Sequence, residues 1–156
     1  LPGTPIPLLI VRSLSTRLLP ASAARDHARV WLFVTDAVPG LRLVAAHAEP
    51  GEIFHLAGRS PKTTLDVVRA VCRELEQRRP ELGDLTALIT HVEDRPGHDR
   101  RYGLSGAALA ARAGFAPEVE FSAGLALLVD ELLAHPDLTS EYRHVARKGL
   151  SRSGRG

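Results

Sequence analysis

The residues best suited to chemistry lie in one short run, Asp94-Arg95-Pro96-Gly97-His98-Asp99-Arg100-Arg101-Tyr102. Arg95, Arg100 and Arg101 supply planar, forked donors that match the oxygens of a phosphate or a carboxylate. Pro96 fixes one backbone angle, and Gly97 permits a tight turn or the close approach of a ligand. His98 adds a further donor. Two readings stand side by side: an anion-binding loop, or a solvated turn in which Asp94 and Asp99 pair with the arginines. His91, Asp94, His98 and Asp99 are also metal-ligand types, but their spacing selects no particular metal.

Other reactive residue types are placed less favourably. Cys72 lies on an apolar helix face, where an inert buried thiol is expected. His55 sits between Phe54 and Leu56 and reads as packed or edge-exposed rather than as a base. Trp31 reads as core. Ser13, Ser15 and Ser22 stand in no nucleophile-elbow sequence. No Gly-x-Gly-x-x-Gly follows a strand, so the chain carries no dinucleotide-binding fingerprint. Tyr102 and Tyr142 are followed four residues on by Gly106 and Ala146, not by the lysine that would lower a phenol pKa.

The elements that must position the 94–102 run follow from apolar spacing. Leu8, Ile10, Val11 and Leu14 suggest a short helix starting near Pro7 and ending before Pro20. Residues 21–28 show no period. The run 30–34 reads as a buried strand, followed by a Thr35-Asp36 cap and a helix whose inner face is Val38, Leu41, Val44 and Ala45. Pro39 is expected in that helix's first turn. A second strand is expected over 53–57, closed by Gly58. The clearest helix carries Leu65, Val68, Val71, Cys72 and Leu75, capped by Thr63 or Thr64 and stopped by Pro80. Residues 85–92 read as a third strand. A helix then runs from a Ser105 cap to Gly114, and another from Ser122 through Leu125, Leu128, Val129, Leu132 and Leu133 to Pro136. Strands separated by helices imply an α/β arrangement, with the 94–102 run at the end of a strand, where ligand sites of such folds concentrate.

Composition bounds the class. The 156 residues are 44% hydrophobic and 24% charged, as in one ordinary globular domain. A net charge of +2 is too mild to argue for nucleic acid. No apolar run reaches membrane-spanning length. One cysteine leaves no intrachain disulfide and no cysteine zinc site, which fits a reducing, cytoplasmic setting. Apolar residues 8–11 have no basic region ahead of them and Arg12 interrupts them, so they do not read as a signal peptide. Leu1 opens the sequence and methionine is absent, which reads as a processed chain, a fragment or a trimmed form. Residues 148–156 read as a disordered basic tail.

The 94–102 run resembles the dTDP-glucose 4,6-dehydratases of the extended short-chain dehydrogenase/reductase superfamily. The resemblance extends through most of the chain. Residues 6–10 resemble the helix after the family's Phe-Pro-Glu-Lys-Leu segment. Arg29-Val30-Trp31-Leu32-Phe33-Val34-Thr35-Asp36 resembles its Arg-Asp-Trp-Leu-Tyr-Val-Glu-Asp stretch. Gly51-Glu52-Ile53-Phe54-His55-Leu56-Ala57-Gly58 resembles Gly-Glu-Thr-Tyr-Asn-Ile-Gly-Gly, Thr64-Leu65-Asp66-Val67-Val68 resembles Asn-Leu-Asp-Val-Val, and Gly114-Phe115-Ala116-Pro117 resembles Gly-Trp-x-Pro. Thr4, Ser22-Ala23-Ala24-Arg25, Val30, Thr64 and Glu131-Leu132 depart from it, standing for lysine, Tyr-Gly-x-Gly, aspartate, asparagine and Trp-Tyr.

The resemblance implies an α/β fold corresponding to the C-terminal, substrate-binding portion of an extended short-chain dehydrogenase/reductase, with the Rossmann half absent from these residues. Residues 1–147 would form the nucleotide-sugar-binding domain. Arg29 and Arg95 would contact a nucleoside diphosphate, and Asp94, Pro96, Gly97 and His98 would shape its pocket. The cofactor implied is NAD. In the family it oxidises the sugar C4, water leaves across C5–C6, and hydride returns to C6. The partner implied is a dTDP-linked sugar, with no nucleic acid or membrane, and the family's homodimer surface falls mainly in the Rossmann half. A non-catalytic remnant or binding module of the same fold, and a nucleotide-sugar epimerase, are the alternatives. The 156 residues alone should neither bind NAD nor turn over dTDP-glucose. Appearance of the 4-keto-6-deoxy product with this chain alone would overturn that expectation.

Overall fold

The computed structural model describes residues 5–15, 19–22, 28–59, 61–92 and 101–138. The elements are α1 (Pro5–Ser15), β1 (Leu19–Ser22), β2 (Ala28–Val30), α2 (Val34–His47), β3 (Pro61–Thr63), α3 (Thr64–Arg78), β4 (Ile89–Val92), β5 (Arg101–Tyr102), α4 (Ala107–Ala113) and α5 (Phe121–Ala134). Strands β1 and β4 form a parallel pair, and a three-stranded sheet has the order β3-β2-β5. Within it β2 runs antiparallel to β3 and parallel to β5. No helix among the described residues is long and apolar enough to cross a membrane.

The core is made where α1, β1, α3 and α5 meet. Ile10, Leu19, Val68, Val71, Cys72, Leu75, Leu125 and Val129 are buried in one cluster. Helix α3 supplies the largest share because its apolar residues repeat at helical spacing, as the sequence predicts. Each such side chain, fully buried, contributes about 1.5–3 kcal/mol. That exceeds the ~1 kcal/mol typical of an N-cap, so burial holds the helix and the cap sets its start. Thr63 is that cap. Its hydroxyl accepts from the Asp66 backbone N–H at 3.1 Å, while Asp66 Oδ2 accepts from the Thr63 N–H at 3.2 Å. Arg78 bonds Glu74 one turn back and Asp130 of α5, joining the two helices at the surface.

Elsewhere the structure corrects the sequence reading. The run 30–34 is not one strand. Only Val30 lies in β2, residues 31–33 form a connector, and Val34 opens α2. The reason is the short ladder: β3 has three residues and β5 two, so pairing ends at Val30. Asp36 does not cap α2. The helix begins at Val34, and the Asp36 and Ala37 N–H groups reach the Phe33 carbonyl. Pro39 therefore falls beyond the first turn, where it removes the N–H that would reach the Thr35 carbonyl.

The inner face of α2 also differs. Val38 and Leu41 are 50% and 58% exposed, whereas Asp36 and Gly40 are buried. Gly40 sits where a Cβ would come within 2.1 Å of Leu56 and 2.8 Å of Phe115. Close approach, not apolar area, decides which side of α2 faces inward.

Residues 53–57 form no strand ladder among the described residues, and Ile53 is 82% exposed. Of 85–92, a 3₁₀ turn takes Thr86–Leu88 and only Ile89–Val92 is strand. Asp84 explains this: its Oδ1 accepts from the Thr86 and Ala87 N–H groups and the Thr86 hydroxyl, drawing the chain into a turn. Strands β1, β3 and β5 have no counterpart in the sequence reading, which leaves Arg101 and Tyr102 in a loop. The cap of α4 is Gly106 rather than Ser105, whose hydroxyl still accepts from the Ala107 N–H at 3.3 Å. Gly114 ends α4 in the left-handed region at φ 68°, as expected. Helix α5 begins at Phe121 and buries Leu125, Val129 and Leu132. The tail 148–156 lies outside the described residues.

The cap of α3 is open to measurement. Thr63→Ala should cost ~1 kcal/mol at neutral pH by urea unfolding. The Asp66 carboxyl is held below its ordinary pKa, first by the Thr63 hydroxyl and backbone N–H and then by the Lys62 and Arg69 charges. A carboxyl whose folded pKa lies below its unfolded one stabilises above the unfolded value, and that stabilisation is lost as pH falls through the folded one. The difference between wild type and Thr63→Ala should therefore shrink on acidification; a constant difference would remove Asp66 from the cap.

A second test concerns Asp36, whose Oδ2 accepts from the Glu118 N–H at 3.1 Å and the Val119 N–H at 2.9 Å. Asp36→Ala should destabilise by about 2–3 kcal/mol, because two bonds to a charged acceptor go and two N–H groups lose their partner. Asp36→Asn, which keeps one acceptor oxygen, should recover part of this. A change within about 0.5 kcal/mol for the alanine variant would place Asp36 among ordinary surface positions.

Candidate functional site

Register places the candidate site. In β1–β4, Ser22 is opposite Val92. In β2–β5, Ala28 is opposite Arg101 and Arg29 opposite Tyr102. Two connections, 23–27 and 93–100, therefore leave neighbouring strand ends and arrive at neighbouring strand starts. Parallel strands require such connections to leave and arrive in step. Arg101 and Tyr102 are thus set beside the strand of Arg29, although the two are distant in sequence.

Arg29 is half-buried in the middle of β2, and its Nη1 donates to the Ala28 carbonyl at 3.0 Å. On its other side Arg29 is paired in register with Lys62 of β3. Asp94, Arg95, Pro96, Gly97 and His98 lie outside the described residues, as do Asp99 and Arg100. The backbone thus brings Arg29 to one end of their connection, and their side-chain contacts stay outside the description. No group of metal-ligating side chains gathers among the described residues.

Chain continuity carries β2 into an apolar cleft of about 550 Å³, lined among others by Trp31, Phe33, Val34, Phe121, Gly124 and Leu128. Trp31 packs against Phe121 with ring centroids 6.2 Å apart. Its buried Nε1–H has no hydrogen-bond partner among the described residues. Gly58 passes so close that a Cβ there would meet the Trp31 carbonyl at 1.7 Å, which requires glycine. The segments 30–34 and 53–58 therefore do approach each other at this point, though not as paired strands.

The remaining candidates resolve simply. Cys72 is buried, and burial, helped by the Glu76 and Asp84 charges, pushes its thiol up to about 11. It is inert, as its apolar helix face suggests. His55 is exposed and lies in no strand. Lys62 carries no signal in the sequence, because only the β2–β3 register puts it beside Arg29. Asp36 is legible as a polar residue at a helix start, but its partners are 82 and 83 residues away.

No protein-family model matches the chain. A curated dTDP-glucose 4,6-dehydratase from Xanthomonas campestris pv. campestris (strain B100) is 37% identical over 132 residues, covering 83% of this chain and 38% of that protein. The crystal structure of a dTDP-glucose 4,6-dehydratase from Streptomyces venezuelae, with NAD and TYD bound, superposes with a TM-score of 0.79 at 28% identity, over 90% of this chain and 42% of that one. The UDP-glucose 4-epimerase of Thermotoga maritima shares the fold at 17% identity, with a TM-score of 0.66 over 79% of this chain and 37% of that one. The chain thus spans about two fifths of the length of the relatives it matches. Over that span it belongs to the dTDP-glucose 4,6-dehydratase family, corresponding to the C-terminal portion of these extended short-chain dehydrogenases/reductases.

Proposed function

We propose that this chain forms the part of a dTDP-glucose 4,6-dehydratase-like lyase that holds the nucleoside diphosphate of the sugar substrate. The observation that supports the reading is the register on either side of residues 93–100, which sets Arg101 and Tyr102 opposite Ala28 and Arg29. Arg95 and Arg29 then serve one anion from two directions. Their guanidinium forks suit phosphate oxygens, and charge assistance makes such bonds stronger than neutral ones. Asp94, Pro96, Gly97 and His98 shape the pocket, as the family resemblance implies.

The residues of this chain do not fit NAD. The sequence carries no Gly-x-Gly-x-x-Gly fingerprint, and among the described residues no glycine-rich turn links a strand to a helix to open a helix N-terminus for a pyrophosphate. The task of these residues is to bind and orient the nucleotide-sugar. NAD, where the complete enzyme binds it, supplies the hydride chemistry.

Arg95→Ala should weaken binding of dTDP and dTDP-glucose by about 1.5–3 kcal/mol in calorimetric titration of the complete protein. Arg95→Lys should recover only part, because an ammonium cannot form the planar fork. Arg29→Ala should also weaken binding, without simple additivity. Unchanged affinity in a folded Arg95→Ala variant would return the loop to a solvated turn.

A further inference from the structure

We infer that residues 53–57 are an open strand edge, completed in the whole protein by a β-strand from the part outside these 156 residues. Ile53 and His55 are exposed, Phe54 and Leu56 are half-buried, and Ala57 is buried. That alternation is the period of an extended chain, in which successive side chains point to opposite sides. The inner side is held in place. The Arg112 guanidinium lies 5.8 Å from the centroid of the Phe54 ring, and Leu56 fills the space against Gly40 of α2. Isoleucine and phenylalanine also favour strands.

The segment has the side-chain pattern of a strand without the hydrogen bonds of one. Among the described residues, no backbone N–H or carbonyl group of 53–57 makes a hydrogen bond. Ala57 is only 6% exposed, and unpaired backbone groups away from water are costly. The backbone groups of a strand alternate between its two edges. A Cβ on Gly106 would stand 3.7 Å from the His55 carbonyl oxygen and 3.8 Å from the Ala57 nitrogen, so the start of α4 lies along that edge. The Phe54 and Leu56 groups point to the other edge, where no described backbone pairs with them.

The occupant follows from the lengths involved. The described strands pair with one another in two small sheets, and none of them reaches 53–57. The chain spans about two fifths of the length of its relatives, which leaves about three fifths of such a protein as the source of a strand. An added strand gains main-chain hydrogen bonds along an open edge. An uncovered edge that also presents Ile53 at 82% exposure is a hazard that proteins normally cover. The inference is independent of the diphosphate reading.

The test is amide hydrogen exchange, read residue by residue in the complete protein, with thermal unfolding alongside. The Phe54 and Leu56 amides should exchange at least about a hundredfold more slowly than unprotected amides, and the His55 amide faster than both. Leu56→Pro, which removes the N–H as well as the side chain, should lower the melting temperature more than Leu56→Ala, which removes the side chain alone. Unprotected rates at Phe54 and Leu56 overturn the inference. So does uniform slowing across 53–57, which burial alone produces, and so do equal melting temperatures for the two variants. Protection that disappears on dilution marks a strand from a second copy and overturns the occupant named here.

Discussion

The Asp36 carboxylate holds the arrangement together. It stands in the first turn of α2, is nearly inaccessible, and accepts the backbone N–H groups of Glu118 and Val119. Those residues lead directly into α5, which supplies Leu125, Val129 and Leu132 to the main core and Phe121 and Gly124 to the cleft. One buried charge therefore fixes the distance between the segment leaving β2 and the helix closing the core. A buried carboxylate is tolerated only when its acceptor capacity is used, and two N–H donors from one turn of chain do that. Arg59 reinforces the same connection from outside, donating to the Pro117 carbonyl at 2.8 Å and to Glu120 at 3.0 Å. Being exposed, those contacts add less.

What is legible in the sequence follows from how local each signal is. Helix α3 is legible because its apolar period, its Thr63 cap and Pro80 all agree and all lie within one window. The Gly114 stop of α4 is legible for the same reason. The strands are not. Their lengths depend on partners: β2 stops at Val30 because β3 and β5 run out, whatever the β-propensity of Trp31, Leu32 and Phe33. The inner face of α2 is hidden because it packs through Gly40, which leaves no hydrophobic mark in the sequence, while Val38 and Leu41 stay exposed. For the site, the composition of the 94–102 run is legible and Arg29 comes from family resemblance. The adjacency of Lys62 is not legible, since it exists only in the register.

The departures from the family pattern sort by where the fold puts them. Leu132 is a core residue, and Glu131 stands on the exposed side of α5 near His135. Whatever a Trp-Tyr pair does elsewhere, this chain uses the positions for packing and a solvent-facing helix contact. Val30 closes β2 opposite Pro61, an arrangement that suits a strand end because proline has no N–H to offer the ladder. Thr64 is different. It is the first residue of α3, next to the Thr63 cap and two residues from Lys62. A threonine there keeps a hydroxyl and gives up the amide that an asparagine would present, so hydrogen bonding at this corner narrows while its positive charge is kept. Charge recognition of a phosphate tolerates such a change, because it depends on field and fork geometry; recognition of a base or sugar by paired donor and acceptor does not. On the proposed reading, the Thr64 departure leaves charge recognition of a diphosphate in place and changes a position suited to discriminating a base or a sugar.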